Sequence, residues 1–316
     1  MPNFVVRAAG DPNTWKTRWF ARSDIPADPE FLVGMSVPFK DADGAHRGLY
    51  QTPVLNEIPA LFYDRHAAEA QLGLWAHFIW PSASAEGGGH HLVVNTYDRA
   101  AFTFGFYQLA AHTPGDNLIL LFRALLALPR AKDYFPDLTL KSGKVHRIDG
   151  QKRVSLETVT NVQRPTDPPR FENQLVAFMT YLNPETLSVG ASEAMNAAKL
   201  MHWLVNDPAA VAATVTVSFA IMRRKLAAHA KTFKLAGRDP RLAIWVSDIR
   251  HQGRGSEQVV RTALTAPTLD GQLAALAAIG KDKYKERIKT VKAKIGTLMA
   301  EARFDGVVLG DGRLPL

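Results

Sequence analysis

The chain has no cysteine among its 316 residues. This excludes a disulfide framework, a thiolate metal centre and a cysteine nucleophile, and it makes the redox compartment unreadable. No apolar run approaches the ~20 residues that a spanning helix needs. The opening MPNFVVRAAGDPNTWKTRW lacks the basic run, apolar core and small-residue cleavage site of a standard secretory signal. Gly87–Gly89 is not followed by Gly-Lys-Ser/Thr, and neither a dinucleotide fingerprint nor a GxSxG elbow is present. Those absences count against a nucleotide-dependent enzyme and a common serine hydrolase. Acidic residues are in short supply as well: 30 Asp and Glu stand against 38 Lys and Arg, giving a net charge of +8 and a pI near 9.6. Such a surface favours polyanions, whether nucleic acid, anionic lipid or an anionic wall polymer.

With 47% hydrophobic and 22% charged residues the composition is that of a globular protein with one large domain or two modest ones. Residues 1–59 are rich in Pro, Gly and Asp, with short apolar runs such as Phe31 to Val37 and a turn signal, DADG, at Asp41 to Gly44. They read as an irregular or β-containing segment with one hairpin. From Ala60 to Trp80 the spacing of Ala68, Leu72, Trp75 and Ile79 predicts a helix that Pro81 ends or bends. Leu92 to Val94 and Ala101 to Phe106 are short β-like runs. Helices are expected from about Gly105 to His112 and from Asn117 to Leu128, followed by a β or loop excursion at about 134–170.

The remainder is helical. Asp207-Pro208 and Asp239-Pro240 each place a capping acid before a proline at the first helical position. Gly253 closes the helix that starts at Pro240. Ala209 to Thr232, apolar almost all round, is expected to be a central buried helix. No internal repeat is visible.

Chemistry concentrates in Glu86 to Gln108, EGGGHHLVVNTYDRAAFTFGFYQ. An acid follows an apolar helix, and a second acid, Asp98, lies between two short β-like runs. A glycosidase needs one protonated carboxyl for the leaving oxygen and a second polar group across the sugar. Glu86 and Asp98 are the natural pair. Thr103 or Thr96 suits a water-holding hydroxyl, and Tyr97 and Gln108 suit saccharide contacts. The plain alternatives are a loop acid for Glu86, an Asx turn for Asp98 and packing for the others.

This order of features resembles the lysozyme superfamily. Phage-type lysozymes carry a Glu near a helix end, a β-hairpin bearing an Asp, and a Thr shortly after; Glu86, Asp98 and Thr103 take those places. TFGFYQ is similar to the Gly-x-x-Gln segment of lytic transglycosylases and goose-type lysozymes, which implies a groove-lining role for Gly105 and Gln108. The resemblance covers about Ala60 to Leu128.

Three further groups stand out. His90, His91 and His112 invite a metal reading, yet no further ligand sits at a recognised spacing, so no metal and no cofactor are expected. WVSDIRHQGRG, from Trp245 to Gly255, packs Asp248, Arg250 and His251 into what ought to be plain surface at a helix end. It reads as a sugar or peptide groove together with His112, or as an ordinary charged last turn. The lysines from Lys281 to Lys294 form a basic amphipathic segment, most simply a solvated helix face.

The expectation is therefore a mainly α (α+β) protein: a lysozyme-like helical catalytic domain over 60–316 with a small β-hairpin, after a β-containing segment at 1–59. The expected activity is cleavage of β-1,4 linkages in an amino-sugar polymer, peptidoglycan before chitosan, with Glu86 as general acid and Asp98 positioning water or stabilising charge. The rival is a non-enzymatic basic module that binds nucleic acid or anionic wall polymer. Synthesis in the cytoplasm is expected, with delivery to a wall by a holin, a secretion system or lysis.

Overall fold

A computed structural model describes residues 2–41, 44–166 and 168–316. The chain divides into two compact units, one formed by Met1–Leu61 with His90–Val217, the other by Phe62–Gly89 with Ser218–Leu316.

The first unit is built on a seven-stranded antiparallel sheet whose strands lie in chain order. They are β1 (Phe4–Ala8), β2 (Arg18–Ser23), β3 (Phe31–Asp41), β4 (Gly44–Tyr50), β5 (Val94–Asn95), β6 (Thr103–Phe104) and β7 (Leu109–Ala110). Alternation explains the N-terminal strands: in β2, Trp19, Ala21 and Ser23 are buried while Arg18 and Arg22 are exposed. Residues 42 and 43 of DADG lie outside the described residues, although Asp41 and Gly44 on either side pair across β3 and β4.

This sheet corrects the mainly helical expectation. The hairpin around Asp98 exists, with Val94 opposite Phe104 and Asn95 opposite Thr103. It does not stand alone, because Asn95 also pairs with Tyr50 and so extends the N-terminal meander. Gly34, Pro38 and Gly48 interrupt the apolar runs of β3 and β4, which hid four strands inside an apparently irregular segment. The helix expected from Gly105 to His112 is instead a turn and β7. Gly105 and Gln108 both have positive φ, 87° and 49°, which a right-handed helix cannot absorb.

Helices α3 (Leu118–Leu126), α4 (Ala131–Tyr134), α5 (Val176–Leu182) and α6 (Ala191–Asn206) complete this unit. The stretch between α4 and α5 carries β8 (Leu138–Lys141), β9 (Lys144–Asp149) and β10 (Lys152–Ser155) in one sheet, and β11 (Thr160–Arg164) with β12 (Arg170–Gln174) in another.

The second unit is helical: α1 (Arg65–Leu72), α2 (Trp75–Gly87), α8 (Pro240–Gln252), α9 (Glu257–Ala263), α10 (Leu269–Ala278) and α11 (Lys285–Ala300). Asp64 caps α1 by accepting from the His66 and Ala67 N–H groups, and Asp239 caps α8 by accepting from Arg241 N–H. Gly253 ends α8 in the left-handed region. Pro81 does not end α2, which runs on through it to Gly87 and stops at left-handed Gly88. Helix α7 (Pro208–Phe233) belongs to both units in turn. It is amphipathic rather than buried all round: Ala210, Thr214, Ser218, Met222, Leu226 and Ala230 form one inward stripe at intervals of four residues. Among the described residues no single helix is long and apolar enough to cross a membrane.

Candidate functional site

In the first unit the residues between β5 and β6 are fixed from several sides. Thr96 exchanges two bonds with Leu49, its N–H donating to the Leu49 carbonyl at 3.0 Å and its Oγ1 accepting from Leu49 N–H at 2.6 Å. Asn183, which sequence reasoning missed, donates from Nδ2 to the carbonyls of Thr96 (3.4 Å) and Ala101 (3.0 Å), stapling the two ends of the connection. Gly48 permits this approach. A Cβ there would meet the Thr96 carbonyl carbon and Oγ1 and the Tyr97 nitrogen, each at 2.5 Å.

The staple positions Tyr97 and Asp98. Tyr97 stands between Phe39 and Tyr50, with ring centroids at 5.2 and 5.3 Å. With Trp15, Val37 and Pro38 these three rings line an open hollow of about 420 Å³. Trp15 is 62% exposed at its edge, with Lys16 Nζ 4.7 Å from the Trp15 ring centroid. Pro38 and Phe39 are shared with a second hollow of about 290 Å³ that adds Lys40, His46 and Arg47. An aromatic floor thus continues into a basic one.

Asp98 performs the Asx-turn role, its Oδ1 accepting from Ala100 N–H at 2.9 Å. Its carboxyl is nevertheless pushed up: burial is the main cause and outweighs the Ala100 N–H and the Arg99 charge, and the negative charge of Asp41 adds to it. Asp41 is itself 3.3 Å from His46. The same unit holds a second acid with a raised pKa, Glu193, in the first turn of α6. It is fully buried, and burial lifts it well above the usual carboxylate range, with neither carboxyl oxygen reaching a hydrogen-bond partner among the described residues. Burial of uncompensated carboxyls is the common cause.

The other expected site residues of this unit serve the fold. Gln108 spends its amide on the turn, donating to Gly105 O at 2.8 Å and Val93 O at 3.4 Å and accepting from Asn95 Nδ2 at 2.5 Å. Thr103 is buried on β6 between Asn95 and Ala110. His112 is half-buried, and its carbonyl accepts from Leu175 N–H at 3.0 Å. His90 and His91 are core residues. The His91 Nδ1 lies 3.0 Å from Thr214 Oγ1, and burial brings its pKa down to about 4.

In the second unit Glu86 lies in the last turn of α2, inside the helix rather than in a loop after it, because the helix continues through Pro81. There Glu86, 14% exposed, meets Arg287 Nη1 at 2.8 Å and His251 Nε2 at 3.1 Å. Arg287 also holds Asp248, Nη2 to Oδ1 at 2.7 Å, and Arg254 closes on the other Asp248 oxygen. Burial alone would raise Glu86, but the Arg287 charge, then His251, bring it down to about 2. A carboxyl in that state has no proton to give at neutral pH.

The segment from Trp245 to Gly255 is therefore not plain surface. Asp248 and Arg254 are fully buried, and Arg250 binds the Gly255 carbonyl at 2.9 Å. Arg287 was missed in the sequence because it hides among exposed lysines. Its signal was register, since it lies on the stripe of Val291, Ile295 and Leu298, where an arginine needs acid partners.

His66, Glu69 and His77 bring ligand-type atoms within 4.8 Å of one another. Arg65 Nη1, which can only donate, sits 2.9 Å from His77 Nδ1. That leaves the ring proton on Nε2, 3.0 Å from Glu69 Oε2. The cluster is complete as an Arg–His–Glu relay, and a metal would have to displace that proton.

Comparison with protein-family models, curated proteins and solved structures gave no match.

Proposed function

We propose that the protein is a glycoside hydrolase acting on a β-1,4-linked amino-sugar polymer, anionic peptidoglycan before cationic chitosan, through the first unit. One observation carries this reading: Tyr97, around which the aromatic hollow is built, is followed directly in the chain by an acid, Asp98, that keeps its proton to higher pH than an ordinary aspartate. Aromatic faces stack on sugar rings, and the adjoining Lys40 and Arg47 suit acidic substituents. Asp98 is the proton donor to the leaving oxygen. Asp41, whose charge acts on Asp98, serves as the second carboxylate. The ion pairs of Glu86 with His251 and Arg287 favour a role in holding α2, α8 and α11 together over proton transfer.

The test is release of soluble fragments from purified peptidoglycan, with chitosan alongside. Asp98→Asn is expected to lower the rate by ~100-fold or more, the range a general acid supplies, while folded Glu86→Gln retains activity. Loss in Glu86→Gln with Asp98→Asn active would return the acid to Glu86.

The exposed Lys281, Lys283, Lys285, Lys289 and Lys292 favour a second reading, binding of nucleic acid or another anionic polymer without cleavage. Steeply salt-dependent binding of DNA, with no fragment release from either glycan, would select it.

A further inference from the structure

We propose that a separate cavity in the first unit binds a primary alkylammonium group, of the kind carried by a lysine side chain or a free alkylamine. The cavity, about 210 Å³, has an apolar wall to which Phe31, Met201 and Val205 contribute, and a polar end formed by Asp28, His202 and Asn206.

The polar end is organised as an acceptor. Asp28 Oδ2 receives the Ser23 hydroxyl at 2.6 Å and His202 Nε2 at 2.8 Å. The carboxylate can only accept, so His202 donates to it from Nε2, while His202 Nδ1 lies 3.0 Å from the Tyr134 hydroxyl. Asn206 donates from Nδ2 to the His202 carbonyl at 3.0 Å, which turns its amide oxygen away from that bond. Asp28 Oδ1 accepts no hydrogen bond among the described residues. The Ser23 hydroxyl, and then His202, hold the Asp28 carboxyl below the usual range, so it is charged at neutral pH.

A ligand matched to this end brings hydrogen-bond donors and positive charge, and the apolar wall asks for an alkyl stem. An ammonium fits better than a guanidinium. A bidentate guanidinium–carboxylate pair is closed here because Oδ2 already accepts from Ser23 and His202, whereas the freely rotating N–H donors of an ammonium match the one open oxygen, Oδ1.

Titration calorimetry of the full chain at neutral pH, with n-pentylamine, Nα-acetyl-lysine methylamide and n-pentanol, tests the site. Either amine is expected to bind at least ~10-fold more tightly than n-pentanol. Binding of both shows that a free alkylamine suffices, and binding of the lysine derivative alone identifies a lysyl side chain as the ligand. Asp28→Asn is expected to remove that preference. Because Asp28 also holds His202, Val205→Trp is the second variant: Val205 lines the apolar wall and is 47% exposed, so a larger ring is expected to occlude the cavity while the Asp28 carboxylate is kept. Amine binding that survives in folded Val205→Trp, equal binding of n-pentanol, or no amine binding by the wild type would overturn the proposal.

Discussion

The two units treat their buried carboxyls in opposite ways. In the helical unit Glu86 and Asp248 are matched by Arg287, Arg254 and His251, and the Glu86 carboxyl is held down to about 2. In the sheet unit Asp98, with one backbone hydrogen bond, and Glu193, with none to its carboxyl, are buried with no arginine closing on them among the described ion pairs, and both are pushed up. The difference lies in what each fold brings to its acids. Long side chains from α8 and α11 reach Glu86 and Asp248, whereas the close packing of Thr96, Gly48 and Asn183 leaves room only for short polar partners. A charged, paired carboxylate braces structure; an unpaired, desolvated one is available for proton chemistry.

The contrast breaks first at Arg287. Arg287→Met leaves Glu86 without its strongest cation and Asp248 with only Arg254, and the expected loss is about 3–5 kcal/mol in urea unfolding. A loss under about 1 kcal/mol would show that the pairs do not brace the helical unit. The next test is Gly48→Ala. The added methyl collides with backbone atoms of Thr96 and Tyr97, with an expected cost of about 1–3 kcal/mol and a change in Tyr97 fluorescence. An unchanged melting temperature would remove the close approach as the device that positions Tyr97.

The smallest effect is a pH dependence at Glu193. Its folded pKa is raised above the ordinary 4.5, so between that value and the folded pKa the native state holds a proton that the unfolded chain has released. Stability contributed by the group is fully present below pH 4.5 and falls as pH rises through that window. Wild type is therefore expected to lose stability relative to Glu193→Gln as pH rises, and a constant difference from pH 4 to 8 would contradict the buried, protonated state.

Much of the local structure was legible. Asp239 and Gly253 bound α8 by capping chemistry that acts within a few residues, while Asp64 and Gly88 do the same for α1 and α2 at ends the pattern around Pro81 obscured. The hairpin between Val94 and Phe104 followed from short apolar runs around TYDR. The seven-stranded sheet did not follow, because β5, β6 and β7 have two residues each and depend on the Tyr50 to Asn95 pair for their place. Gln108, singled out as a sugar contact, turned out to satisfy a turn whose positive φ values leave no trace in a residue pattern.

By itself the sequence determined the charge balance, the absence of thiol chemistry, the two ends of α8 and the presence of acids at Glu86 and Asp98, since each depends on composition or on neighbours in the chain. Only the tertiary structure decided which acid is paired. The pKa of a carboxyl depends on desolvation and on charges brought near it by distant segments, so Arg287, 201 residues beyond Glu86 in the numbering, sets the state of that acid as no neighbour in the motif does. The same holds for Asp98, whose raised pKa comes from burial and from Asp41 across the chain rather than from the motif in which it lies.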